Sequence, residues 1–136
     1  MCGDGMNGPT LANPQKNQVR KTVDMSAEAR TWRAFFKMHS DITNLKDARV
    51  LPNRLMVGTR ISYEGGKKLA LLEVSLRELG ADKVFLAVSC PVDENEKHRI
   101  SVSGALPNGQ EISKRRMLSR SSDVRAFVLN KLKDVA

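Results

Sequence analysis

The chain has 136 residues, of which 40% are hydrophobic and 28% are charged, and its formal net charge is +8 at pH 7. This length allows one compact domain with a substantial core and makes a second domain unexpected. The sequence contains neither an apolar run that could span a bilayer nor a secretory signal, so we expect no membrane partner and a location in the cytoplasm or inside a particle. The positive charge indicates a polyanionic partner, and nucleic acid fits it best.

The N-terminal segment is rich in Gly, Asn and Pro and offers few side chains that a core could bury. Burial there cannot offset the entropy cost of ordering the backbone. We therefore predict a flexible arm over residues 1–24, made mildly basic by Lys16, Arg20 and Lys21, and a single domain over residues 25–136.

A first helix is predicted from Ser26, a good N-cap residue, to about Met38. Three cations recur along it at spacings of three and four, which places them on one stripe. A solvated helix face explains such a stripe better than a phosphate contact does. All large aromatic side chains fall on predicted buried faces, which disfavours base stacking. The cations are Arg30, Arg33 and Lys37, and the residues assigned to the buried side are Ala29, Trp32, Phe35 and Phe36.

The stretch from Arg54 to Leu79 allows two interpretations. Alternation with period 2 on both sides of Gly65-Gly66 predicts a β-hairpin. A leucine stripe at helical spacing over Lys67–Leu79, followed by Gly80, instead predicts a helix within a βαβ crossover. The alternation favours the hairpin. Its buried face then carries Leu55, Val57, Ile61, Ala70, Leu72, Val74 and Leu76.

Three further elements follow. The apolar run Val84–Cys90 predicts a buried strand, and residues 100–106 and 112–118 form a second hairpin around Pro107-Asn108-Gly109. A closing helix begins at Ser121 or Ser122. The predicted fold is therefore α+β: an antiparallel sheet of about five strands, made of two hairpins around a central strand, with an N-terminal and a C-terminal helix. The alternative is an α/β fold with a central βαβ unit.

No constellation of residues requires catalysis, so we expect a non-enzymatic protein with no metal and no cofactor. Gly65-Gly66 followed by Lys67-Lys68 lacks the glycine spacing of a phosphate-binding loop. His39 and His98 are not in metal-ligand spacing with a cysteine.

The strongest functional signal in the sequence is a cluster of basic residues late in the chain: Lys114, Arg115, Arg116, Arg120 and Arg125. Lysine and arginine displace counterions from a phosphate backbone and so bind nucleic acid without contacting bases. Because a strand alternates its side chains, Arg115 must point away from its two basic neighbours. We expect a nucleic-acid partner, with RNA favoured over DNA. The predicted contacts are Arg60, Lys67, Arg77, Lys114, Arg116 and Arg120.

The hairpin region Arg54–Leu76, with its GGKK turn, is followed late in the chain by the helical segment Ser121–Leu132. This order resembles the sheet-then-helix arrangement of the coat proteins of single-stranded RNA bacteriophages. In that family two sheets join edge to edge in a dimer, each C-terminal helix packs on the partner, and the inward sheet face binds an RNA hairpin. The resemblance covers about half of the chain. It implies a viral coat protein or nucleoprotein, within a virion, that forms a homodimer or a higher homo-oligomer.

Three classes of function stay open on the sequence. The first is a nucleic-acid-binding protein that oligomerises. The second is a protein-interaction or regulatory module, whose charge serves solubility or an acidic partner. The third is a small α/β enzyme with a phosphate site at Gly65-Gly66, which requires residues Lys67–Leu79 to form a helix.

Overall fold

The computed structural model of the protein describes residues 26–45, 54–93, 97–133 and 135, so the predicted arm over residues 1–24 lies outside the described residues. In these described residues, two helices flank five strands along the sequence. The bounds are α1 Ala27–Thr43, β1 Leu55–Glu64, β2 Lys67–Leu76, β3 Val84–Pro91, β4 Arg99–Ala105, β5 Glu111–Met117 and α2 Ser121–Lys133, with short 3-10 turns at Arg77–Leu79 and Leu118–Arg120.

All five strands form one antiparallel sheet in the order β1-β2-β3-β4-β5, which confirms the predicted α+β fold. The alternative helix over Lys67–Leu79 is wrong, because residues 67–76 form β2. Gly65 and Gly66 have φ angles of 59° and 79°, and positive φ at both central residues is what a tight hairpin turn of type I′ requires. The register pairs Leu55 with Leu76, Val57 with Val74, Thr59 with Leu72, and Ile61 with Ala70, as the predicted face requires. Ile61 is 39% exposed, however, so its assignment to the buried residues is wrong.

Both helices pack against the same face of the sheet. Helix α1 contacts β1 and β2, helix α2 contacts β4 and β5, and the two helices also contact each other. The core between these layers is made of alternate strand residues and one stripe of each helix. In the described part of the chain, no helix is long and apolar enough to cross a membrane. Fully buried core residues include Phe35, Met38, Ile42, Leu72, Val74, Leu86, Val88, Ile100, Val102, Val124, Val128 and Leu132.

Helix α1 begins as predicted, with the Ser26 hydroxyl accepting a hydrogen bond from the Ala29 N–H at 3.2 Å. It continues beyond the predicted end because Ile42 extends the buried stripe. The assignment of Phe36 to the buried side is wrong: its side chain is 58% exposed. Residue 36 follows the buried Phe35 and is therefore turned about 100° away from the core-facing stripe.

Strands β3 and β4 approach each other closely at Gly104. Its φ angle is +145°, and a Cβ atom added there would lie 2.2 Å from the carbonyl oxygen of Phe85. Only a residue without a side chain fits this distance, because the obstacle is backbone rather than a flexible side chain. The glycine thus sets how near the two strands lie at this end of their pairing.

Leu72 tests the hairpin register. It is fully buried, and its neighbours across the sheet are Thr59 and Val88. We expect Leu72→Ala to lower the free energy of unfolding by about 2 to 5 kcal/mol, through lost transfer energy and the cavity left behind. Urea denaturation measures the change, and Leu79→Ala, at a residue that is 55% exposed, is the matched control. Equal effects of the two changes would contradict the register.

Candidate nucleic-acid interface

The face of the sheet opposite the helices carries a continuous row of residues. Register places Arg60, Leu71, Ser89, Ser101 and Arg115 next to one another across all five strands. In each strand these residues alternate with the residues that face the core, so all five lie on the opposite face of the sheet. We call this surface the open face. A basic residue therefore stands at each edge of it, with serine hydroxyls between.

An open concavity of about 520 Å³ lies on the open face. Its floor includes Ser89 and Ser101, which pair across β3 and β4 and are half-buried. A serine hydroxyl can both donate and accept a hydrogen bond, and hydroxyls are common contacts to phosphate and sugar oxygens. Three cations stand around this floor. The residues that line the concavity are Leu69, Ser89, Pro91, Lys97, Arg99, Ser101 and Arg115.

The three cations of the concavity, Lys97, Arg99 and Arg115, are exposed. Within residues 54–93 and 97–133, no carboxylate forms an ion pair with any of them. Arginine presents a planar fork of donors that binds phosphate in a bidentate manner. A second concavity of about 250 Å³, lined by Arg99, Arg115, Arg116 and Met117, extends this basic surface to the β5 edge.

Two predicted contacts lie at the β1–β2 side of the sheet. Arg60 is on the open face, but its Nε donates to Oε1 of Glu73 at 2.9 Å. This hydrogen bond, and then the charge of Glu73, raise the pKa of Arg60. Lys67 begins β2 opposite Glu64 beside the hairpin turn. Both residues are exposed, and each faces a carboxylate across the hairpin.

Arg77 lies in the turn that follows β2, at the end of that strand remote from Lys67. Strand β2 is 10 residues long. Since a strand rises about 3.3 Å per residue, the two cations stand about 30 Å apart. They do not share one compact phosphate site.

The other three predicted contacts lie on the helix side. The Lys114 Nζ atom is 5.3 Å from the ring centre of Phe127 in α2. Asp123 accepts from Arg120 at 2.8 Å and lies 3.9 Å from Nε of Arg116. The structure thus brings Arg116 and Arg120 together at Asp123, beside the start of α2, and places Lys114 over Phe127 in the middle of that helix. The six predicted residues do not form one basic sheet face. Lys114 and Arg116 lie on the same side of β5 as the buried Ile112, which is the side that the helices cover.

Sequence reasoning missed the cations of the concavity. Strand alternation predicts that Arg115 points away from Lys114 and Arg116, but it does not indicate that the face on which Arg115 lies carries a concavity. Arg99 lies two positions before Ser101 on β4, so strand alternation alone places both residues on the same face of the sheet. Lys97 precedes the strand and gave no periodic signal.

Other reactive groups do not converge in the described ranges. No three His, Cys, Asp or Glu side chains there are placed to hold a metal ion. Cys90 is buried, and this burial raises the pKa of its thiol, which disfavours the reactive thiolate. The sequence matches no family model, and no curated protein or solved structure matches the chain.

Glu73 controls how much of the charge of Arg60 is available on the open face. We expect Glu73→Gln to free Arg60 for phosphate contact, and so to steepen the dependence of single-stranded RNA affinity on salt by up to about 0.7 in log-log slope. The free energy of unfolding should hardly change, because this exposed ion pair contributes little to stability. Fluorescence anisotropy at several salt concentrations measures the slope. Glu78→Gln is the matched control, since Glu78 pairs with Arg54 at the far end of the hairpin; the same steepening in both variants would contradict the prediction.

Proposed function

We propose that this protein is a non-enzymatic nucleic-acid-binding protein that holds RNA by its phosphates on the open face. The observation that carries the proposal is the cluster of Lys97, Arg99 and Arg115 around one concavity, without a carboxylate partner in the described part of the chain. Uncompensated cations release counterions from a phosphate backbone, which gives salt-dependent affinity. Paired cations elsewhere on the sheet have already lost much of that capacity.

The floor of the concavity supports RNA as the ligand. Ser89 and Ser101 present hydroxyls between the cations, and the 2′-hydroxyl of ribose is both a donor and an acceptor for such groups. Aromatic side chains do not line the concavity. Contacts are therefore made to sugar and phosphate, and we expect weak discrimination between base sequences.

Neutralising the two arginines of the concavity tests the proposal. We expect Arg99→Gln with Arg115→Gln to weaken binding to single-stranded RNA of many sequences about equally. The slope of log affinity against log salt should fall by about 1.4, because about 0.7 is lost for each phosphate contact. Folding stability should be unchanged, since both side chains are exposed. Titrations of labelled random RNA at several salt concentrations give both quantities.

Two variants with the same loss of charge serve as controls. Lys83→Gln with Lys133→Gln removes two exposed cations outside the concavity and should leave the slope unchanged. Lys114→Gln with Arg116→Gln removes two cations from the helix side and should have the smaller effect. A larger loss in this last variant would move the interface to the start of α2. Absence of binding by the wild type at low salt would favour the interaction-module function instead.

We also propose that the protein self-associates along β1, as a coat protein or nucleoprotein would. Among the described strands, none pairs with the outer edge of β1, which leaves a row of backbone donors and acceptors available. Beside this edge Tyr63 is 71% exposed, Phe36 58% and Ile61 39%. Trp32 stacks on Phe36 with ring centres 5.7 Å apart and extends the apolar surface. A second copy of the chain can pair its own β1 with this edge and cover these side chains.

Lysine substitutions at this edge test self-association. We expect Ile61→Lys with Tyr63→Lys to convert the wild-type oligomer to a monomer, because two-fold pairing would bring like charges together. The core should stay intact, since both residues are exposed. Light scattering coupled to size exclusion measures the mass, with Leu79→Lys and Met117→Lys as exposed control positions. A wild-type protein that is monomeric at high concentration would refute the proposed edge.

A further inference from the structure

A third basic concavity, of about 290 Å³, lies between the two helices. Helix α1 contributes Arg30, Arg33 and Lys37, and helix α2 contributes Arg125. Both helices cover one face of the sheet, so this groove and the open face lie on opposite sides of the molecule. We call it the helix groove.

The helix groove carries more positive than negative charge. The Arg125 Nε atom lies 3.1 Å from Oδ2 of Asp41, so one cation is compensated. Arg33 and Lys37 are exposed, and no ion pair with a carboxylate involves either of them in the described ranges. A polyanion entering the groove would therefore meet cations that other parts of the described structure do not neutralise.

The cations of α1 are spread along the helix rather than gathered at one point. Lys37 lies seven positions after Arg30, and a helix rises 1.5 Å per residue, so these charges span about 10 Å. This length suits successive phosphates of a chain better than a single phosphate group. The sequence alone favours an ordinary solvated face for the stripe of Arg30, Arg33 and Lys37. In the structure this stripe forms one wall of a groove, to which α2 contributes Arg125.

We propose that the helix groove is a second, independent RNA-binding site, which contacts phosphates. The sheet and the helix layer separate it from the open face, so the two sites take different segments of RNA. One protein molecule then bridges two RNA segments. The bridging consequence rests on the proposed function of the open face, whereas binding in the groove does not.

Amide NMR spectra of the full chain, titrated with a single-stranded RNA hexanucleotide, test the two sites separately. Ala34 and Ser119 line the groove, and Ser89 and Ser101 line the concavity of the open face. We expect the amide signals of both pairs to shift in the wild type. In the variant Arg33→Gln with Lys37→Gln, only the groove signals should stop shifting. In Arg99→Gln with Arg115→Gln, the groove shifts should persist.

The outcomes separate the two proposals. Groove signals that stay unshifted in the wild type overturn the inference, whatever the open face does. Groove signals that shift while the signals of Ser89 and Ser101 do not would support the groove and overturn the proposed function of the open face. Groove shifts that persist unchanged in the Arg33→Gln, Lys37→Gln variant would also overturn the inference.

Bridging is measured as the capture of a fluorescent RNA by a non-complementary RNA fixed on beads. The assay uses the Ile61→Lys, Tyr63→Lys background, because a β1-linked dimer could bridge with its two open faces alone. We expect capture in this background, its loss to the protein-free level when Arg33 and Lys37 are also neutralised, and its retention in the Lys83→Gln, Lys133→Gln control. Capture that survives removal of the groove cations would overturn the bridging consequence.

Discussion

The packing of both helices against one face of the sheet is the interaction on which the rest of the structure depends. It buries one set of alternate strand residues, from Leu72 and Val74 in β2 to Ile112 in β5, in a continuous core. Burial of these core-facing residues supplies the hydrophobic stabilisation of the fold. The residues that alternate with them face away from the helices and therefore do not have to be apolar. The serines and arginines of the open face occupy positions that folding does not require to be buried.

Pairing between charges, more than their number, decides where a polyanion can bind. The net charge of +8 is spread over much of the surface, yet Arg60, Arg120 and Arg125 each lie within 3.1 Å of a carboxylate oxygen. Such pairs contribute little to stability in water, but they lower the local potential. Within the part of the chain that the structure describes, Lys97, Arg99 and Arg115 on the open face and Arg33 and Lys37 in the helix groove form no ion pair with a carboxylate, so the excess positive charge is available to a polyanion there.

The sequence was sufficient for the fold because its signals are local. Two glycines between alternating segments specify the β1–β2 hairpin. The candidate site depends on register and on pairing across the chain, and these are not local. Glu73 meets Arg60 diagonally across the β1–β2 hairpin, and Glu28 meets Lys68, which lies 40 positions later in the chain. Alternation along β5 places Lys114 on the same face as Ile112, so the sequence could predict the face of Lys114 locally. The proximity of Lys97 to Arg115 could not be predicted in this way, because it depends on the pairing of β4 with β5.

The close approach of β3 and β4 at Gly104 limits which residue can occupy that position. The residue is exposed to solvent, yet the carbonyl oxygen of Phe85 occupies the space that any Cβ would need. Ser103, one position earlier, pairs with Ala87 on the open face. Solvent exposure and freedom to mutate are therefore uncoupled at position 104, which must stay glycine although the solvent reaches it.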